Sequence, residues 1–146
     1  RKNTMKKRMI AAAVLTAIAV QSVPLTGSAE TVGVYEAEDA VMTGNMKAIE
    51  ESGLSGGKAA GNFAADTDSL KFTVEIPADG TYNIVINSKG YGGGKTNNIV
   101  IDGAFAGTFD STADTYSDSL MRSVLLTAGT HEIAITKSWG WIAHTI

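Results

Sequence analysis

The sequence predicts an all-β protein built as an antiparallel β-sandwich. In residues 69–76, SLKFTVEI, apolar side chains alternate with polar ones, which is typical of a strand with one face in water. About seven to nine such stretches follow at even spacing, separated by short segments that contain Gly, Asn or Asp. Within residues 30–146, no segment shows the apolar repeat of an amphipathic helix.

Residues 1–29 are predicted to lie outside that sandwich, as a few upstream residues followed by a secretory signal peptide. Basic residues at positions 6–8 precede an apolar run over residues 9–20, and small residues end the segment, so cleavage is expected after Ala29. A transmembrane anchor is less favoured, because this run of about 12 residues is shorter than the roughly 20 that a span needs.

Residues 30–146 are then one domain, large enough for a single core. Five basic residues belong to the leader, which leaves 7 basic against 15 acidic side chains and a net charge of −8. This acidic balance argues against a nucleic-acid partner, and carboxylate oxygens suit calcium. The absence of cysteine excludes disulfides, thiol chemistry and sites for soft metals.

The first half of the domain is predicted to contain four strands. VGVYEAEDA at 32–40 is the opening strand, and KAAGNF at 58–63 is a short one. The strand at 69–76 ends in PADG, where a proline starts the turn and Gly80 accommodates a positive φ. The alternation resumes in TYNIVINS at 81–88.

The second half is predicted to consist of hairpins. NNIVI alternates and breaks at Asp102-Gly103, a strong hairpin signal, and AFAGTF is the returning strand. RSVLLTAGTHEIAIT, at 122–136, gives two further strands around Ala128-Gly129.

Catalytic signals are weak. Of the two histidines, His131 begins a strand after a turn and is interpreted as a surface residue, while His144 lies near the end of the sequence. Fifteen acidic residues always offer carboxylate pairs, so the pattern of a hydrolase is not specific. GYGGGKT lacks the glycine spacing of a phosphate-binding loop.

Glu36 and Glu38, in YEAEDA, are two residues apart on a predicted strand, so both carboxylates would point to the same face. Calcium is bound by several hard oxygens and tolerates irregular geometry, which makes this pair a candidate metal site. A charged outer face that protects an edge strand explains the same spacing equally well.

A glycine-rich stretch and the tryptophans near the end of the sequence form a second candidate site. Tyr91, Lys95 and Asn97 surround three glycines, and Trp139 would lie near them in space. Aromatic ring faces and hydrogen-bonding amides or cations are the groups that bind sugars. The alternative is an ordinary turn with the tryptophans in the core, a position that we assign to Trp141.

Six motifs occur in order: VYEAEDA, SGLSGGKAAGNF, FTVEIPADGTYNIVI, GYGGGKTNNIVIDG, LTAGTHEIAIT and SWGWI. Together they resemble carbohydrate-binding module families 35 and 6, with family 35 the more similar, over about residues 33–142. The resemblance implies a jelly-roll β-sandwich, a structural calcium ion and a sugar site in the loops at one end.

The resemblance also implies the ligands of that calcium ion. They are Glu36, Glu38 and oxygens from near Ser55 and Lys58, partly from the backbone. In the family a final strand follows the tryptophan motif and carries an aspartate that completes the site. Here no aspartate follows Asp118. We therefore expect an incomplete calcium site and an incomplete last strand, as in a C-terminally truncated domain.

The implied sugar-binding residues are Tyr91, Lys95, Asn97 and Trp139. Family members bind uronic acids, galactose-containing chains or β-mannans. Lys95 would pair with a uronate carboxylate, or else hydrogen-bond neutral hydroxyls or face solvent. We favour a plant cell-wall polysaccharide such as mannan.

These features predict a non-catalytic module that binds polysaccharide or oligosaccharide and targets an attached glycoside hydrolase, whose catalytic domain is missing from this chain. Two alternatives stay open: a small secreted polysaccharide lyase or glycosidase, and a purely structural sandwich of a surface protein. We expect a secreted monomer with no nucleic-acid partner and no membrane association once the leader is removed.

Overall fold

The computed structural model describes residues 13–23, 30–90 and 93–138. Within these ranges no helix is long and apolar enough to cross a membrane, and the only helical segments are two short 3-10 turns, Ala37–Asp39 and Ser55–Gly57. The strands are β1 (Ala13–Ser22), β2 (Thr31–Glu36), β3 (Val41–Thr43), β4 (Lys47–Glu50), β5 (Lys58–Phe63), β6 (Ser69–Ile76), β7 (Gly80–Gly90), β8 (Lys95–Ile101), β9 (Ala104–Ser111), β10 (Ser117–Leu126) and β11 (Gly129–Lys137).

The strands form two antiparallel sheets. The first has the order β10-β7-β1-β5-β4, and β2 pairs with the edge of β1 that also pairs with β5. The second has the order β3-β6-β11-β8-β9. This arrangement confirms the predicted all-β antiparallel sandwich.

The core lies between the sheets and follows the period-two alternation. On β6, the side chains of Leu70, Phe72, Val74 and Ile76 are buried, as the alternation predicts. On β7 of the opposite sheet, the buried apolar side chains are Tyr82, Ile84 and Ile86. Both sets belong to one hydrophobic cluster, so a single core joins the two sheets.

Most predicted strands and turns are confirmed, with small differences at their ends. The residues of the Asp102-Gly103 turn have φ values of +50° and +84°, as a tight hairpin turn requires. Gly80 differs from the prediction, because its φ lies outside the left-handed region and it is the first residue of β7. The opening strand is shorter than predicted, because a 3-10 turn begins at Ala37.

Three strands were not predicted. β3 and β4 are too short, at three and four residues, to show a convincing alternation. The third, β1, comes from the segment that is predicted to be part of the leader, and it lies inside the first sheet between β7 and β2. Its β-branched residues Val14, Thr16, Ile18 and Val20 recur at every second position, which is a strand signal within a leader-like apolar run.

Candidate functional site

The inner faces of three strands change from apolar to polar toward the same end of the sandwich. On β7 the buried positions run from Ile86 to Ser88, and on β8 from Ile99 to Asn97. On β9 the change runs from Phe109 to Ser111. We call this region the polar end. Its buried polar residues are Ser88, Lys95, Asn97 and Ser111.

Side chains at the polar end connect the two sheets. Ser88 Oγ and Ser111 Oγ lie 2.8 Å apart, in hydrogen-bond distance across the sandwich. Lys95 pairs in register with Ser111. A Cβ added at Gly90 would lie 3.3 Å from Lys95 Cγ and 2.5 Å from the Gly93 carbonyl oxygen. Glycine at position 90 therefore leaves the space that the Lys95 side chain occupies.

Asn97 supplies a buried hydrogen-bond donor at this end. The residue is 1% exposed, and among the described residues its Nδ2 has no hydrogen-bond partner. An unsatisfied buried N–H group costs about 1–3 kcal/mol. A hydroxyl oxygen from a ligand, or a water, would satisfy this donor.

The placement of Lys95 and Asn97 differs from the prediction. Both were predicted to lie in the glycine-rich stretch, as part of a sugar site in the loops, but they lie on β8 and face the interior, with Lys95 only 9% exposed. The reason is that the alternation of β8 continues inward from Ile99 through both residues. Tyr91, Trp139, Trp141 and His144 lie outside the described residues, so the sequence predictions about them stay predictions.

Two further lysines at the polar end are paired with carboxylates. Lys89 Nζ lies 3.2 Å from Glu51 Oε2 and 4.6 Å from the centre of the Tyr116 ring. Lys137 Nζ lies 3.2 Å from Asp66 Oδ1. The positive charge of these two lysines is therefore balanced within the protein, which matters for the kind of ligand that this end can attract.

The two carboxylates predicted to bind a metal lie close to the end of β2, but they do not lie on the same strand. Glu36 is the last residue of β2, whereas Glu38 lies in the following 3-10 turn, so the expectation that one strand carries both is wrong. Even so, Glu36 Oε1 and Glu38 Oε2 are both buried without a hydrogen-bond partner among the described residues. Buried carboxylate oxygens without donors are costly unless a cation lies near them.

The loop predicted to complete that site approaches Glu38. Gly56, at φ +67°, lies so close that an added Cβ would be 2.7 Å from Glu38 Oε1. The side chains of Ser55, the first residue of this 3-10 turn, and of Lys58, which directly follows it, are exposed. The structure thus brings Glu38 next to the SGGK turn, where backbone carbonyls rather than side chains would be the available oxygens.

A histidine–carboxylate pair lies at the other end of the β8–β9 hairpin. His131 Nδ1 lies 2.6 Å from Asp102 Oδ2, and its Nε2 lies 2.8 Å from the Thr127 carbonyl oxygen. The hydrogen bond to Asp102 and the one to Thr127 raise the pKa of His131. Because both ring nitrogens already lie beside hydrogen-bond acceptors, this pair is suited to holding the loop in place and not to transferring a proton. The prediction that His131 is a plain surface residue is therefore incomplete.

Three buried polar residues are not predicted by the sequence motifs. Ser88 and Ser111 continue the buried alternation of β7 and β9, and that period-two pattern could have found them. Asp68 accepts backbone N–H groups from Asn45, Ala64 and Ala65 at 2.6–2.8 Å. Burial raises the pKa of Asp68, but these hydrogen bonds outweigh burial and lower it.

The two antiparallel sheets around one core define a β-sandwich domain. Residues 33–146 match the family described as carbohydrate binding module (family 35), so the chain belongs to that family. Modules of this family are non-catalytic, and the matched residues are therefore a carbohydrate-binding domain and not an enzyme.

Two longer enzymes share this module. A mannan endo-1,4-beta-mannosidase from Thermothelomyces thermophilus is 32% identical over 108 residues, which cover 73% of this chain and 22% of the relative. A cycloisomaltooligosaccharide glucanotransferase from Niallia circulans is 32% identical over 109 residues, covering 70% of this chain and 11% of the relative. The chain thus spans less than a quarter of the length of either relative.

A solved module has the same fold. The family 35 carbohydrate binding module from Clostridium thermocellum matches with a TM-score of 0.64 at 24% identity, covering 74% of this chain and 88% of that one. At this level of identity the likeness concerns the fold alone.

Proposed function

We propose that this module binds a neutral plant-type polysaccharide, with β-mannan as its ligand, and holds an attached glycoside hydrolase at that substrate. The observation that carries the proposal is the polar end, where a buried amide donor and two serines face the space between the sheets. Sugars bind where hydrogen-bonding groups lie beside an aromatic ring. Tyr91 and Trp139 are the proposed rings.

The electrostatics of the polar end favour a neutral sugar over a uronic acid. A uronate carboxylate requires an accessible cation, but Lys95 is 9% exposed. Lys89 and Lys137 already lie beside Glu51 and Asp66. Because residues 30–146 also carry a net charge of −8, a polyanionic pectin would be repelled.

The targeting role rests on effective concentration. The similar mannosidase is several times longer than the matched region, so in that protein the module is one part of a larger chain. A weak sugar site on the same polypeptide keeps a catalytic domain near an insoluble substrate, which turns a search through solution into a local one. Secretion belongs to the same proposal, because such polysaccharides are extracellular.

Replacing Trp139 by alanine tests the sugar site. We expect the parent to bind β-mannan with a Kd of roughly 10 μM to 1 mM, which corresponds to about −4 to −7 kcal/mol. Trp139→Ala should weaken binding by about 1–3 kcal/mol, because a stacked ring would be lost. Isothermal titration with soluble mannan oligosaccharides measures both values.

The matched control for that experiment is Phe105→Ala. Phe105 is 68% exposed and lies on β9 near the Asp102-Gly103 turn, at the opposite end of the hairpin from Lys95. The Phe105→Ala variant should bind mannan with the same affinity as the parent. Equal affinity of Trp139→Ala and the parent would remove Trp139 from the site. Binding to polygalacturonate but not to mannan would refute the neutral ligand, and no binding to any glycan would favour the structural alternative.

We propose further that the module binds a structural calcium ion at Glu36 and Glu38. The support is the pair of buried, unpartnered carboxylate oxygens beside the Gly56 turn. Among the described residues no group of three or more His, Cys, Asp or Glu side chains could hold a metal ion. The remaining ligands would therefore be backbone carbonyls near Ser55 and Lys58, together with water.

Calcium should stabilise the parent and not the Glu38→Gln variant. A ligand at one hundred times its Kd adds about 2.7 kcal/mol to the free energy of unfolding. In chelator, Glu38→Gln should be no less stable than the parent, because the variant removes a buried charge. Thermal unfolding with calcium and with chelator measures the difference, and exposed Glu50→Gln is the matched control. An identical unfolding temperature of the parent in both buffers would contradict the site.

A further inference from the structure

β1 lies inside the first sheet, with hydrogen-bonding partners along both of its edges. It pairs with β7 from Ala13 opposite Gly90 to Ser22 opposite Tyr82, with one register shift between Leu15 and Ala17. The other edge pairs with β2 over Ala17–Gln21 and with β5 near Ala13. Removing such a strand would leave two rows of backbone N–H and C=O groups without partners.

Side chains of β1 are part of the core. Ile18 is 0% exposed and Val20 is 1% exposed, and both belong to the hydrophobic cluster that joins the two sheets. Ala19, between them, is only half-buried, so one face of β1 points into the core and the other points away from it. The segment therefore contributes side-chain packing to the core in addition to backbone hydrogen bonds in the sheet.

The position of β2 depends on β1. Among the described residues, β2 forms sheet pairing with β1 and with no other strand. At the junction, Ser22 N donates to the Glu30 carbonyl at 2.8 Å, and Val23 N donates to the Thr81 carbonyl at 3.0 Å. These bonds fix residues on both sides of the predicted cleavage position. Because Glu36 lies opposite Ala17, the proposed calcium site rests on the same strand.

We propose that residues 13–22 are an integral strand of the module and that the slot between β7 and β2 is a binding site for this apolar segment. The segment then has two mutually exclusive uses. Within the folded sheet the side chains of Ile18 and Val20 are buried, so they are not accessible to anything that recognises a leader. As a leader it must be extended outside the fold, which leaves β2 without its sheet partner. This inference does not depend on the identity of the glycan.

Cutting the chain between β1 and β2 tests the proposal. The full-length chain is made without export, with a specific protease sequence in place of residues 24–29, and its mass is checked before and after cutting. We expect the fragment that contains β1 to co-elute with the remainder on size exclusion. If the fragment instead leaves, the remainder should lose its cooperative thermal unfolding, because the sheet has lost an inner strand.

The opposite outcome is equally measurable. A remainder that separates from the fragment yet keeps the far-UV dichroism and the unfolding temperature of the uncut chain would overturn the proposal. A dimer in which two cut chains exchange the fragment would support it, since the slot would then hold the same segment from a second copy.

Two aspartate variants test which face of β1 is buried. Ile18→Asp should reduce retention of the cut fragment at least about tenfold and lower the unfolding temperature of the intact chain, because it buries a charge. The cut chain with Ala19→Asp, a substitution on the other face of β1, should retain the fragment about as well as the parent does. Equal effects of the two variants, or no effect of either, would overturn the placement of β1 in the core.

Discussion

His131 shows how one side chain makes the stability of this protein depend on pH. As a cation it donates to Asp102 and to the Thr127 carbonyl, and these bonds raise the pKa of His131. The backbone N–H of Glu132 and the ring of His131 lower the pKa of Asp102. The histidine contribution is therefore complete below the unfolded pKa of about 6.5 and is lost as the pH rises through the higher folded pKa.

Replacing His131 by glutamine should remove this pH dependence. At pH 5.5 the free energy of unfolding of the variant should be about 1 kcal/mol lower than that of the parent, because hydrogen bonds to a charged group are lost. Above pH 8 the difference should shrink. Urea unfolding of the parent and the variant at both pH values measures the difference. A constant difference across this range would show that the ring contributes only as a neutral group.

Asp68 is a second single residue whose role depends on contacts distant in the sequence. Its carboxylate accepts three backbone N–H groups from two separate segments, and a Cβ at Gly44 would clash with it. Nothing in the local pattern around Asp68 distinguishes it from a solvated loop aspartate. The partner Asn45 is 23 positions away, so only folding brings donor and acceptor together.

At the scale of elements, the β8–β9 hairpin depends on backbone conformations that favour glycine. Gly103 has a φ of +84° and no atom within 4 Å of an added Cβ, so a substitution there acts through the backbone alone. Gly103→Ala should therefore cost about 1 kcal/mol of the free energy of unfolding.

The matched control for this element is Gly80→Ala. The φ of Gly80 is not left-handed, and the nearest atom to an added Cβ, Tyr82 Cε2, is 3.8 Å away. The substitution should be neutral within about 0.5 kcal/mol. Thermal unfolding of the two variants gives the comparison, and a Gly80→Ala cost as large as that of Gly103→Ala would contradict the backbone explanation.

At the scale of the whole molecule, the two sheets share one core and should unfold together. Leu70 lies on β6 in the second sheet and is 0% exposed, within a cluster that also contains residues of the first sheet. Leu70→Ala should cost about 2–5 kcal/mol because it leaves a cavity. Amide exchange should show the loss of protection in β7 as well as in β6, because opening is global.

Leu125→Ala is the control for the whole-molecule prediction. The same residue type at 80% exposure should cost less than about 0.5 kcal/mol. If Leu70→Ala left the protection of β7 unchanged while that of β6 fell, the two sheets would be separate cooperative units.

The sequence by itself determined most of the strand pattern, the tight turn at Asp102-Gly103 and the family, because these depend on side-chain periodicity and on motifs that lie close together in the chain. Only the tertiary structure decided that Lys95 faces the interior and that Ser88 meets Ser111 across the sandwich. It also decided that residues 13–22 lie in the sheet, since an apolar segment suits a leader and a buried strand equally. Whether such a segment becomes a buried strand depends on whether strands distant in the sequence have unpaired edges and apolar surface with which it can pair and pack.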